Sequence, residues 1–373
     1  MVVFGHMAQL VERCIHIAKV SGSNPDVPTM KILFFSSLFY PHIGGVEKHV
    51  MEISKLLIEK NHRISVVTEN YSQELKSKEN IKGIEIIRIP RIKKGKLKKF
   101  KIWKWLFENR KIISDADIIH CHDVFFWYMP FMFFYIKKPV YTTFHGYENY
   151  PLKLKDILMH KIAEKLSFGN IAVGSFIKKW YGTKPTYITY GGVNKVKSDP
   201  PRWAGKLKIK SLKGAVFVGR LEKQTGIKTY VNAVKLIRKQ MPFFKFGIIG
   251  DGKLRKEIKK NFKVLGFQRN PEKYFSKYNF AFASGYLSIL EAMAEKRLIF
   301  ADYDNPLKED YLRMTPFSKF IVISNSSSEL VSKIIFYLNN TKKQEQITED
   351  AYEWVRKHTW KDVVNIYLKL WKL

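Results

Sequence analysis

Cysteine, acidic residues and long apolar runs are all scarce in this chain, and each shortage narrows what it can be. Only two cysteines occur, Cys14 and Cys121, too few and too far apart for a disulfide framework or a zinc site. Cys121 stands in an apolar stretch and reads as a core residue, so a reducing, cytoplasmic setting is expected. The longest apolar run, Val124–Ile136 (VFFWYMPFMFFYI), is broken by Pro130 and is too short to span a bilayer, so membrane contact is expected to be peripheral. Asp and Glu number 33 against 66 Lys and Arg, a surplus of +33 that favours an anionic partner: nucleic acid, an acidic membrane or a phosphorylated substrate. Lysines scattered over every helix also fit a general compositional bias, so charge alone does not choose among these.

What the chain has in quantity is core material. Hydrophobic residues make up 46% and aromatics 14%, which argues against disorder, and 373 residues suit two domains. Residues 1–29 stand apart as a leader or extension. Ser21–Thr29 (SGSNPDVPT) is turn chemistry with no core behind it, and no signal-peptide apolar segment precedes it. Met7–Thr29 resembles the product of reading through a tRNA gene, so translation is expected to begin at Met30.

From Met30 onward, strand and helix signals alternate. Strands are expected at Lys31–Ser37, Ile64–Thr68, Ile84–Ile89, Asp117–Cys121, Val140–Phe144 and Asn170–Gly174, with a helix over Val46–Lys60. Residues 195–213 are polar, basic and carry Pro200-Pro201, so they read as a linker between a first domain (30–194) and a second (214–345). The second series has strands at Gly214–Gly219, Phe244–Ile249, Lys263–Leu265, Asn279–Ala283, Leu298–Ala301 and Phe320–Ile323. Helices are expected through 346–373. The implied class is α/β: two Rossmann-like, doubly wound parallel sheets facing a cleft.

The chemistry-bearing motifs sit at the expected carboxyl ends of strands, where open α/β sheets bind ligands. Tyr40–Glu47 (YPHIGGVE) places Gly44 and Gly45 at a helix start, where backbone N–H groups can approach an anion; a plain tight turn is the alternative. Asp117–Asp123 (DIIHCHD) carries His120 and His122, which lack a third ligand at fixed spacing and read as structural. Thr142–Tyr147 (TTFHGY) puts His145 past a strand, able to hydrogen-bond a ligand or take a proton. Gly219–Gly226 (GRLEKQTG) offers Arg220, whose guanidinium suits a diphosphate, with Lys223 close by. Gly250–Gly252 (GDG) is a strand-to-helix turn. Ala281–Ala301 (AFASGYLSILEAMAEKRLIFA) reads as strand, turn, helix and strand, with Glu291 on the helix and N–H groups of Gly285, Tyr286 and Leu287 able to cradle phosphate.

Together these segments resemble the retaining family-4 glycosyltransferases (glycosyl transferases group 1, GT-B fold) over nearly the whole chain from Lys31. The resemblance implies a first domain for the acceptor and a second for a nucleoside-diphosphate sugar, with the last helix crossing back to the first. It implies that Glu291, the later glutamate of the family's E-x7-E pair, holds the ribose, that His145 lies against the sugar, that Arg220 and Lys223 neutralise the leaving diphosphate, and that Gly250, in a turn similar to the family's Gly-x-Gly, binds the donor beside the nucleotide. No metal and no cofactor are implied, since cations and helix dipoles take that charge. The chain departs from the family at Ala283, which replaces the earlier glutamate, and at Thr225, which replaces a lysine.

Arg91–Lys111 (RIKKGKLKKFKIWKWLFENRK) holds ten basic residues against the single acid Glu108. Lys98, Lys99, Lys101, Trp103 and Lys104 make it an expected membrane or acceptor face, each Lys contributing about 1 kcal/mol on anionic lipid. A solvated helix with Trp103 and Phe107 turned inward is the alternative. Three functions therefore stand: transfer to a lipid-linked or polysaccharide acceptor, a non-catalytic binding module of the same fold, and, last, nucleic-acid binding, for which no recognised motif speaks. The start at Met30 is testable by peptide mapping of protein from its native host; any peptide from residues 1–29 overturns it.

Overall fold

The structure is a computed structural model in which residues 29–42, 44–93, 95, 97–147, 149–194, 214–268 and 271–373 are described. Residues 1–28 of the leader and the whole linker lie outside these residues. The first domain carries β1 (Lys31–Ser36), β2 (Arg63–Glu69), β3 (Lys78–Ile81), β4 (Ile84–Ile89), β5 (Ile118–His122), β6 (Val140–Phe144), β7 (Gly169–Val173) and β8 (Tyr187–Thr189) in one sheet of order β3-β4-β2-β1-β5-β6-β7-β8. Its strands pair in parallel except β3, which pairs antiparallel with β4. β1, β5, β6 and β7 are buried nearly end to end because helices cover both faces, which is why their sequences read as continuous apolar runs. β3 (KENI) escapes such a reading: it is a polar edge strand turned back by Lys82 and Gly83, both at positive φ, in a two-residue hairpin.

The second domain holds a five-stranded parallel sheet of β9 (Gly214–Val218), β10 (Lys245–Ile249), β11 (Phe280–Phe282), β12 (Leu298–Asp302) and β13 (Ile321–Ser324), in the order β10-β9-β11-β12-β13. The strand expected at Lys263–Leu265 is a single bridge, Ile248 to Val264. A doubly wound α/β architecture in two units is thus the fold.

The chain returns to the first domain at its end. Helix Thr341–Val355 packs on the second domain, then Thr359 caps Trp360–Trp371, its side chain and that of Asp362 forming a reciprocal capping box. Val193 exchanges backbone hydrogen bonds with His358 and Trp360, and Gly192 is required there: a Cβ would lie 2.5 Å from the Thr359 carbonyl carbon. Trp360, Val363, Val364, Tyr367, Leu370 and Trp371 enter the core built by β1, β2 and helix Gly45–Ile58. Each such side chain contributes about 1.5–3 kcal/mol on full burial.

Polar groups also cross this joint. The Trp371 indole N–H donates to His120 Nδ1 (3.1 Å), so Nε2 carries the imidazole proton and donates to Thr143 Oγ1 (2.7 Å). Thr143 meets the Tyr367 hydroxyl at 2.9 Å, and that hydroxyl meets His49 Nε2 at 2.9 Å. One direction of donation, from Trp371 to His49, satisfies every member with both imidazoles neutral. Burial drives His49 down to about 3 and holds His120 and His122 well below the usual histidine range. Unfolded, each takes a proton near pH 6.5; folded, each refuses it, so stability is complete above that pH and lost as pH falls toward the folded values. We expect urea unfolding to show stability declining below pH 6.5 by up to about 1.4 kcal/mol per pH unit for each histidine, and His120→Asn to flatten the slope. Equal slopes in both proteins would overturn this.

Candidate active site

Both sheets turn their carboxyl ends toward the cleft, so the expected site residues arrive on loops from two domains. On the first-domain side, the segment after β1 is fixed from below by buried Arg88, which donates to Tyr40 O and Lys76 O, each at 2.8 Å. Gly44 is extended and starts helix Gly45–Ile58; a Cβ there would strike the Glu47 carboxylate, which His42 Nδ1 holds at 2.8 Å. Gly45 faces open space, with nothing within 4 Å of a Cβ position. One turn on, Lys48 reaches across to the second domain and pairs with Glu291 at 2.5 Å. Burial pushes the Lys48 ammonium down, but Glu291, with Glu52 and Glu272 behind it, more than reverses this and holds it above its usual value.

His145 follows β6, its backbone N–H on Asp123 Oδ1 (2.8 Å) and its Nε2 on His122 Nδ1 (2.8 Å). Its ring stands edge-on to His49 at 4.7 Å. Burial, reinforced by neighbouring histidines, keeps its pKa well below the usual range, so the His145 imidazole is neutral. His120 lies deeper, within the joint already described, and His122 Nε2 is buried without a partner.

On the second-domain side, Arg220 leaves β9 with its side chain 54% exposed and, among the described residues, only Glu222, at 3.9 Å, as an ion-pair partner. Lys223 is exposed at the start of the turn Lys223–Thr225. Thr225 does not stand in for a cation: its hydroxyl lies 2.7 Å from both Arg220 O and Glu222 O and ties the loop to itself. Gly250, at φ +140°, packs where a Cβ would run into Gly219 O, so the loops after β9 and β10 meet back to back.

Gly285 is exposed and starts helix Tyr286–Ala294. The phosphate cradle expected over Gly285, Tyr286 and Leu287 needs correction at Tyr286. Its N–H donates to the Tyr311 hydroxyl (3.0 Å), its own hydroxyl donates to Tyr311 O (2.7 Å), and the two rings stack at 4.0 Å. Both polar groups are spent within the protein, which leaves Gly285 and Leu287. The Leu287 side chain packs over Gly191, where no Cβ interferes. Ala283 is buried in the second core and offers no acid.

Two Asp-x-Asp triplets bear on metal binding. In Asp115-Ala116-Asp117, Asp117 accepts from the Lys31 N–H (2.7 Å) at the amino edge of the sheet, away from the cleft. In Asp302-Tyr303-Asp304, Asp302 is buried, and burial pushes it up to about 7. Among the described residues no three His, Cys, Asp or Glu side chains gather as a metal set.

The basic segment forms helix Lys98–Glu108, with Ile102 and Leu106 inward. Trp103 also turns in, its indole N–H on Phe126 O at 2.8 Å, which corrects its expected place on the outer face. Lys98 pairs with Glu69 (2.5 Å), Lys99 lies over the Phe126 ring, Lys104 nears Glu108 at 3.8 Å, and Lys101 is exposed. The exposed apolar groups are instead Leu97, Phe100, Phe107, Phe133, Phe134 and Ile136, with Phe133 80% exposed. No described helix is long and apolar enough to cross a membrane.

Two facing sheets of this topology, with glycine-started helices and Arg220 at the cleft, define a GT-B glycosyltransferase. Residues 43–194 match the model of Glycosyltransferase Family 4 and residues 201–354 that of Glycosyl transferases group 1, and the chain belongs to this family. The glycosyltransferase MJ1178 of Methanocaldococcus jannaschii is 25% identical over 370 residues, covering 90% of this chain and 96% of that one. Among solved structures, sucrose-phosphate synthase from Thermosynechococcus elongatus aligns with a TM-score of 0.72 at 15% identity, over 92% of this chain and 98% of its own. Anabaena HepE in complex with UDP-glucose aligns with a TM-score of 0.68 at 15% identity, over 92% and 100%. At such identities these two structures speak for the fold alone.

Sequence reasoning passed over Lys48, Tyr311 and the return of Tyr367 beneath the histidines. Lys48 directly follows the glycine motif, but nothing local marks a partner 243 residues away.

Proposed function

We propose that this enzyme transfers a sugar, with retention and without a metal, from a nucleoside-diphosphate sugar to a lipid-linked or polysaccharide acceptor at the cytoplasmic face of a membrane. The observation that carries the reading is Arg220: a half-exposed guanidinium at a strand end, with only a loose contact to Glu222 at 3.9 Å among the described residues. Such a group is poised for an anion that forms as a bond breaks, and stabilising that charge lowers the barrier more than gripping the ground state does. Arg220 and Lys223 take the charge of the departing diphosphate, and N–H groups at Gly45, Gly285 and Leu287 add to it. Glu291 holds the ribose after Lys48 yields, and neutral His145 hydrogen-bonds the sugar. HepE was crystallised with UDP-glucose, which supports placing uridine donors first in any trial.

The acceptor side rests on the exposed patch of Leu97, Phe100, Phe107, Phe133, Phe134 and Ile136, set among Lys99, Lys101, Lys104 and Arg110. Apolar groups that enter a headgroup layer within a basic rim suit a peripheral membrane surface.

The donor reading is tested by calorimetric titration of the full chain with UDP-, GDP-, ADP- and dTDP-sugars. One donor should bind, and Arg220→Ala and Glu291→Ala should each weaken it about tenfold or more, about 1.4 kcal/mol. No binding by folded protein would favour the non-catalytic module, as would binding without sugar transfer. For the membrane face, co-sedimentation should occur with vesicles containing phosphatidylglycerol, fall with added salt, and drop in Phe133→Ser/Phe134→Ser. Absence from anionic vesicles would remove the membrane from the proposal.

A further inference from the structure

The second domain buries a cation that no carboxylate contacts directly among the described residues, with Asp302 and Asp304 acting on it only from further off. Lys308, near the start of helix Pro306–Arg313, is only 6% exposed. Its ammonium donates to Ser284 O and lies 3.9 Å over the Tyr311 ring. No carboxylate among the described residues forms an ion pair with it. A buried ammonium held by one carbonyl and a ring face is costly, and such an arrangement persists where a ligand brings the counter-charge.

Its surroundings say which ligand. Ser284 immediately precedes Gly285, the exposed start of helix Tyr286–Ala294, so the ammonium is held just beneath a helix end that favours anions. Arg220, at the end of β9, acts on Lys308 as a like charge. In the turn after Arg220, Thr225 is tied into its own loop and Lys223 is the cation that remains, exposed to solvent. We propose that Lys308 is a donor-binding residue: with Arg220 it forms the pair of cations that receives the diphosphate of the sugar nucleotide. This rests on the sugar-nucleotide reading above.

A pH signature follows. Burial brings the Lys308 ammonium down to about 7; Asp304 and Asp302 oppose that fall, and Arg220 adds to it. Tyr311, on its own helix, is pushed far up by burial and stays neutral. Without donor the ammonium is partly discharged near neutrality, and the diphosphate requires it charged, so donor affinity is full below pH 7 and lost as pH rises through it. The diphosphate of a sugar nucleotide is a diester that does not titrate there. Asp302, which burial pushes up to about 7, gains a negative charge over the same range and needs its own control.

The experiment is calorimetric titration of the full chain with the donor found among UDP-, GDP-, ADP- and dTDP-glucose, from pH 6 to pH 8.5, for the native protein, Lys308→Met, Lys308→Arg and Asp302→Asn. Native affinity should fall about tenfold per pH unit at most above 7. Lys308→Met should bind about tenfold or more weakly at pH 6 and lose the pH dependence. Lys308→Arg, charged throughout, should bind at pH 8.5 as it does at pH 6, and this variant decides the matter if Lys308→Met does not fold. Asp302→Asn should keep a pH dependence that Lys308→Arg lacks. A native slope in Lys308→Arg, or native affinity in folded Lys308→Met, would overturn the assignment. So would a loss confined to the matching nucleoside-diphosphate glucuronate, which would move the anion from the diphosphate to the sugar. If the native chain binds no sugar nucleotide at all, the donor reading itself falls, a result distinct from any of these.

Discussion

The two sheets share one cleft because the last helix belongs to both domains, and its seat depends on a chain of neutral hydrogen bonds. Apolar burial of Trp360, Val364, Tyr367 and Trp371 supplies most of the attraction, but it does not fix rotation or register. Direction comes from the run Trp371, His120, Thr143, Tyr367 and His49, in which each group has the donor or acceptor its neighbour needs. His49 lies on the helix that begins at Gly45, one residue from Lys48. The joint that docks the end of the chain therefore also sets the glycine loop and the lysine that crosses the cleft.

That crossing contact, Lys48 to Glu291, makes the site a property of both domains. A half-buried ion pair gains little net energy, because desolvation of both groups offsets most of the attraction. Its consequence is geometric: the carboxylate that the ribose would use is already engaged by the opposite wall. On the proposed reading, a donor entering here would exchange one partner of Glu291 for another instead of filling an empty acceptor.

The fold was legible in the sequence wherever a strand is buried on both faces. β4 and β6 match their apolar runs residue for residue, since nothing but burial decides them. Edge strands were not legible: β3 is polar because one side meets water, and β8 is three residues long. Helix faces were legible in part. Ile102 and Leu106 follow helical periodicity, whereas Trp103 turns inward because its N–H finds the Phe126 carbonyl, a partner on another element. The same holds for the cleft. Motifs announce groups on one loop, such as Gly285 or Arg220, but pairings between distant segments, Lys48 with Glu291 or Tyr286 with Tyr311, leave no local trace.

The departures at Thr225 and Ala283 take on a different meaning beside Lys308. A lysine at position 225 would extend from a tight turn; Thr225 instead closes that turn with its hydroxyl, and Arg220 and Lys223 are left as the motif cations there. At position 283, alanine removes a carboxylate beside Ser284, whose carbonyl carries the Lys308 ammonium.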